Sequence, residues 1–162
     1  MIPILYATIT EGTVPTDYGL GSLTDALSCT VTEERNGGYE LVMEYAAKGI
    51  HAEDIEPNRF IKAKPNFTDN PQIFRIYKVG KEMNGKFTVY AQHISYDLSG
   101  KIVPANTTGG SATAAVLALK TQGGGNFNIT TNITSSKAFK VDVPSSTRSW
   151  FGGKEGSLLD NH

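Results

Sequence analysis

A mainly β fold with a smaller α+β portion (β+α) is what this sequence predicts, on three observations. Two pairs of alternating polar and apolar runs each flank a turn containing Asn-Gly, around residues 36–38 and 83–85. About six strand-like segments precede Pro104, with almost no helical pattern between them. Only residues 111–121 carry an Ala/Leu-rich helical stretch of any length. Many short strands with turn signals between them make a small barrel or a sandwich.

Residues 2–10 form the first expected strand, rich in Ile and Leu with Tyr6, and residues 11–21 are a loop carrying Gly12, Pro15, Gly19 and Gly21. The clearest local pattern is "ALSCTVTEERNGGYELVMEYA". In its second run Tyr39, Leu41, Met43 and Tyr45 share one face, with Glu40, Val42 and Glu44 on the other. In its first run Leu27, Cys29 and Val31 stand against Ser28, Thr30 and Thr32. That is a half-buried hairpin across Asn36-Gly37-Gly38, and it places Cys29 on the apolar face as a small core residue rather than a nucleophile. "GIHAEDIEPNRFIKAKP" predicts a helical turn at 51–55, ended by Pro57, and a short strand at 59–64. Residues 66–71 are a polar loop. The second hairpin, "QIFRIYKVGKEMNGKFTVYAQH", pairs 72–81 with 86–92 across Met83-Asn84-Gly85.

Composition shifts after Pro104, so residues 1–104 are expected as one β module and residues 105–162 as the start of an α+β module. "ANTTGGS" is the connector. Ser111 or Thr113 caps the helix at 111–121, and Gly123-Gly124-Gly125 stops it. Residues 126–134 and 138–143 are expected as a pair of short strands. "VPSSTRSWFGG" predicts a short capped helix closed by Gly152-Gly153, and "EGSLLD" starts another. That last apolar pattern has only Asn161 and His162 after it, as in a fragment of a longer protein. No internal repeat is visible.

With 162 residues the chain can bury roughly 68–70% of its unfolded surface, so it needs no metal or disulfide to fold. Fifteen basic residues against sixteen acidic ones give a net charge of -1, which offers nothing specific to nucleic acid. A lone cysteine makes no internal disulfide. "MIPILYATITEG" lacks the basic n-region of a signal peptide, and no run approaches the ~20 apolar residues of a membrane span. Sequons at Asn66, Asn106, Asn128 and Asn132 fit the Asn/Thr-rich composition of a β protein.

"AQHISYDLSG" places His93, Ser95 and Asp97 close together. In a strand, alternate residues share a face but stand about 6–7 Å apart, too far for a hydrogen-bonded triad. In a helix Ser95 faces away from His93 and Asp97. The stretch therefore predicts a strand end running into a helical turn, with polar side chains covering exposed backbone groups. A Cys/His peptidase would join Cys29 to His51 or His93, but Cys29 lies inside a hairpin with nothing to lower its pKa. "HAED" offers His51, Glu53 and Asp54 without the spacing of a metal motif, and a solvated acidic turn is the expectation. "GLGSL" is no phosphate-binding loop. Trp150 and seven Tyr are available for a carbohydrate-binding face, though such residues are more often core.

Five blocks carry a family resemblance: "DYGLGSLTDALSCTVTEERNGGYELVMEY", "GIHAEDIEPNRFIKAKP", "DNPQIFRIYKV", "FTVYAQHISYDLSG" and "VPSSTRSWFGGKEGSLLD". In order and spacing, across most of residues 15–160, they resemble the N-terminal region of the phage minor structural protein, or prophage tail endopeptidase, family. These are tail-associated proteins of siphophages and prophages of Gram-positive bacteria. The resemblance implies a region similar to the baseplate hub of contractile-tailed phages, a trimer of β-barrel modules akin to the tail-tube protein. Residues 1–104 would then supply most of a tail-tube-like module, and residues 105–162 the truncated start of an inserted α+β module. It implies a structural part of the virion tail tip, made in the bacterial host cytoplasm, acting in tail assembly and host attachment. The implied partners are further copies (a homotrimer in the intact protein), the distal tail protein, tail-tube or tape-measure proteins, and downstream receptor-binding or lysin domains. Endopeptidase activity in the family belongs to a more C-terminal part, so no catalytic residue, cofactor site or metal site is expected in this segment. The alternatives are a cell-wall or peptide hydrolase using His93 or Cys29, and a host-wall carbohydrate-binding module using exposed Trp150 or Tyr rings. Subunit contacts are expected at loop 11–21, loop 66–70 and the outward faces of the two hairpins.

Overall fold

The computed structural model describes residues 1–34, 37–152 and 155–161, without the side chains of Asp160 and Asn161. Asn36 and Gly153, two of the expected turn and closing residues, lie outside the described residues. The chain divides into two compact units. One comprises Met1–Thr10 and Val14–Ile94, the other Glu11–Thr13 and Ser95–His162. The division falls at Ile94, ahead of the composition shift at Pro104.

The first unit is a curled antiparallel half-barrel. Its strands are β1 (Ile4–Tyr6), β2 (Gly21–Ser22), β3 (Ala26–Glu33), β4 (Tyr39–Ala46), β5 (Phe60–Ala63), β6 (Gln72–Val79) and β7 (Lys86–His93), in spatial order β2-β1-β5-β6-β7-β4-β3. Alternation along β4 decides which face is covered. Leu41 lies between Val31 and Ala91, Met43 between Cys29 and Val89, and Tyr45 between Ala26 and Phe87. Leu41, Met43 and Tyr45 are fully buried and join Phe74, Ile76, Val89 and Ala91 in one core. Burying each such side chain stabilises the fold by roughly 1.5–3 kcal/mol.

Burial stops alternating in β1 and β5, where every residue is buried. Leu5, Ile61 and Ala63 face the main core, while Ile4, Tyr6, Phe60 and Ile73 form a second cluster. Lys62 is buried too. Its ammonium donates to the Pro15 carbonyl at 2.8 Å and lies 5.3 Å from the centre of the Tyr6 ring. The Tyr6 hydroxyl donates to the Asp17 carbonyl. These bonds fasten the loop that follows β1 onto the sheet.

The β6–β7 hairpin turns at Asn84 (φ 55°) and Gly85 (φ 74°), the pair of positive φ angles that a two-residue type I′ turn requires. A register irregularity between Ile76 and Lys78 leaves Tyr77 exposed. A single 3₁₀ turn, Ala52–Asp54, stands where the helical turn before Pro57 is expected.

The second unit contains β8 (Ile102–Val103), β9 (Thr108–Gly109), α1 (Ala112–Leu119), β10 (Phe139–Lys140), β11 (Ser145–Ser146), α2 (Thr147–Phe151) and α3 (Leu158–Asn161). β8 pairs with β11 and β9 with β10. Ser111 caps α1 by accepting from the Ala114 amide, and Ser146 caps α2 by accepting from the Ser149 amide. Beyond α1 the chain widens into a π turn, Lys120–Gly124, before the glycine run ends it. Val103, Ala115, Val116, Leu119, Phe139, Val141, Trp150 and Leu158 form the core.

The expected strand at 126–134 is corrected: those residues are irregular, and β10 pairs with β9 instead. Asn and Thr side chains compete with a ladder by bonding nearby backbone, as where the Ile133 amide donates to Thr131 Oγ1 at 3.1 Å.

Candidate functional site

The strand that ends the seven-stranded sheet is the feature with the strongest functional content. At one end, β2 is two residues long, too short to receive another strand. At the other, β3 runs for eight residues, and its sequence ALSCTVTE has no Lys or Pro and a single charge, Glu33. Thr and Val favour extended structure, and the stretch Ser28–Thr32 carries no charge or proline, the guards of this edge being confined to its two ends, a bulge at Ala26/Ser28 and the charge of Glu33. One irregularity, between Ala26 and Ser28, displaces Leu27 into solvent.

Cys29 shares the inner face of the sheet with Met43, as the alternation requires. It is nevertheless exposed, which corrects the expectation of a core residue. Alternation gives the face of a strand, not whether another strand lies beyond it, and nothing in the sheet lies beyond β3. Flanking protein still strips enough water from the thiol to push its pKa up to about 11. Cys29 is thus accessible and un-ionised near neutrality, the opposite of an activated nucleophile. Its modification by a disulfide reagent should accelerate about tenfold per pH unit between pH 7 and 10 without a plateau, because only the thiolate reacts. A plateau near pH 8 in a stopped-flow thiol assay would contradict this environment.

His93 closes β7, and its ring stacks on Tyr39 (centroids 4.4 Å apart, planes 22° apart) and meets Phe74 edge-on at 5.6 Å. Its Nε2 lies 3.2 Å from Gln72 Oε1. Ser95 and Asp97 lie on the 3₁₀ segment Ile94–Gly100, which follows the strand directly. His51 Nδ1 lies 3.2 Å from Asp54 Oδ2, and Arg59 donates to Asp54 Oδ1 at 3.0 Å. The hydrogen bond to His51, then that to Arg59, holds the Asp54 carboxyl below its usual pKa. Glu53 adjoins them in sequence, but among the described residues no group of three or more His, Cys, Asp or Glu side chains is arranged to hold a metal.

Trp150 is buried, edge-on to Phe139 at 5.7 Å, so its ring offers no platform for a sugar. Besides Tyr77 on β6, the exposed aromatics are Tyr18 and Phe67, in loops that composition singles out only as polar. Phe67 is 99% exposed at the tip of a tied turn. Asn66 Oδ1 accepts from the Thr68 amide (2.9 Å), the Thr68 hydroxyl (2.9 Å) and the Asp69 amide (2.8 Å), and Lys64 donates to the Phe67 carbonyl at 2.9 Å. Val14, Tyr18 and Leu20 are exposed in the loop after β1. The Asn-x-Thr-Asp order was the available sign of a rigid Asx turn at Phe67. Nothing in the sequence flags Lys62.

No helix among the described residues is long and apolar enough to cross a membrane. No family model matches the chain, and no curated protein or solved structure matches it.

Proposed function

We propose that this chain is a structural part of a phage or prophage tail tip, the N-terminal segment of a hub-like tail-associated protein. It acts by assembly rather than catalysis. The observation that carries this reading is the curled antiparallel sheet ending in an eight-residue edge strand whose middle, Ser28–Thr32, carries no charge or proline. Bare edges of that kind invite pairing, and an assembled state removes the liability. The five ordered blocks that resemble the tail family supply the identity of the assembly. In this reading the first unit is a tail-tube-like module and the second belongs to an inserted α+β module. The intact protein forms a homotrimer that meets the distal tail protein and tail-tube or tape-measure proteins. Phe67 and the exposed Val14, Tyr18 and Leu20 are apolar anchors of the kind such contacts bury. The protein would be made in the host cytoplasm and end at the tail tip.

The test is to epitope-tag the chromosomal copy, induce particles and label them for electron microscopy. Label confined to the tail tip is the expected result. Intact tailed particles devoid of the protein would remove the reading.

A further inference from the structure

We propose that β3 pairs antiparallel with β3 of a second copy, across a two-fold axis passing through Thr30. The inference goes beyond the tail-tip reading and does not rest on it, because it follows from the pattern of this one strand. A two-fold contact at β3 joins chains in pairs, so the homotrimer of that reading would use other surfaces, the loops at 11–21 and 66–70. Ser28, Thr30 and Thr32 share the outer face with Glu44, Val42 and Glu40, while Cys29 and Val31 share the inner face with Met43 and Leu41. With Thr30 on the axis, Cys29 of each copy falls opposite Val31 of the other. Ser28 falls opposite Thr32, and Thr30 opposite itself. Apolar residues then meet apolar residues on the inner face, and hydroxyls meet hydroxyls on the outer face, both favourable cross-strand pairings. The regular ladder ends at Ser28 and Thr32, and Glu33, the one charge of the strand, lies beyond it beside the bulged Leu27, so no like charges oppose each other.

Other registers lose this match. A slip of one residue sets the apolar row against the hydroxyl row. A slip to the next matching register either shortens the bulge-free ladder from Ser28–Thr32 to Ser28–Thr30 or sets Glu33 against Cys29. The strand is therefore its own complement, which an isologous two-fold contact requires, and this argues for a second copy as the occupant over an unrelated extended segment. Pairing also continues the apolar inner row of one sheet into the other, covering Cys29 and Val31, where each core now opens at the edge.

The experiment uses the whole chain. Sedimentation velocity should show a concentration-dependent dimer, and Thr30→Lys, which sets two ammonium groups against each other on the axis, should return it to monomer with an unchanged far-UV spectrum. Thr30 is exposed, so the change spares the fold. In a Cys29→Ser background, Thr30→Cys should link to itself on oxidation. Ser28→Cys and Thr32→Cys should link only when the two variants are mixed. Directly opposed residues lie about 4.5–5.5 Å apart between Cα atoms, within the span of a disulfide. A chain that stays monomeric at every concentration overturns the proposal. So does a dimer or trimer that Thr30→Lys leaves intact and Thr30→Cys fails to link, an outcome that leaves the tail-tip reading standing. Protection of β3 amides from exchange only on adding a distal tail protein would assign the edge to that partner and also overturn the pairing. Self-linking through Thr30→Cys in a protein absent from tailed particles would keep the pairing and end the tail-tip reading.

Discussion

Phe74→Ala should cost about 3–5 kcal/mol of the first unit's stability. Phe74 has no solvent exposure, and it sits on β6 in the middle of the sheet between β5 and β7. Its ring meets Tyr39 at 5.4 Å with the planes 89° apart, and His93 at 5.6 Å. Truncation removes the transfer free energy of the ring and two edge-on aromatic contacts, each worth about 0.5–1.5 kcal/mol beyond burial. Neighbouring strands fix the backbone on both sides, so little collapse can refill the space. Against a total stability of about 5–15 kcal/mol for a typical domain, that loss is enough to populate the unfolded state in mild urea. Urea titration followed by far-UV circular dichroism measures it. A loss below about 1 kcal/mol would mean that the ring is not packed as described.

The second large effect concerns Gly109→Val, which should destabilise the second unit by about 3 kcal/mol, the upper end of the usual overpacking range. A Cβ at Gly109 would overlap the backbone of Ala115 and stand 2.8 Å from the Ala114 carbonyl carbon. The obstacle is main chain at the start of α1, so no rotamer change relieves it. Either α1 moves off, or β9 leaves its place opposite Phe139. Trp150, the sole tryptophan, packs against Phe139 and reports either outcome. Its emission should shift to the red at a lower denaturant concentration than in the parent protein. The control is Gly110→Ala, one residue on, where a Cβ meets nothing within 4 Å. That change should stay within about 0.5 kcal/mol of the parent. Equal effects at the two glycines would contradict the close packing of α1 on β9.

Local chemistry was legible in the sequence. Asn84-Gly85 encodes its own positive φ angles, so the β6–β7 hairpin could be placed without knowing anything distant. The two capped helices were likewise expected, and of the candidates Ser111 and Thr113 it is Ser111 that caps α1, while Ser146 caps α2. The sequence was silent where the outcome depended on non-local pairing. Nothing in FIKA tells that β5 is covered on both faces, or that Lys62 is buried with a loop carbonyl as its acceptor. Residues 126–134 carry enough Ile and Thr for a strand, yet the Thr131 hydroxyl accepts from the nearby Ile133 amide and β9 takes the pairing. The candidate site follows the same division. Alternation placed Cys29 on its correct face. Its exposure was hidden because strand order, unlike strand content, is a property of the whole sheet.

The unequal ends of the seven-stranded sheet have a kinetic consequence. A sheet with two long receptive edges behaves as a bifunctional monomer, and stepwise addition lengthens it into a fibre. Here β2 offers two residues and β3 eight, so the sheet is monofunctional. In the proposed pairing β3 consumes the reactive end, and growth along the sheet would terminate at the first addition. So paired, a strand edge that would otherwise be an aggregation hazard would become a connector of fixed stoichiometry, and the concentration of chain would set how many connectors close rather than how long a polymer grows.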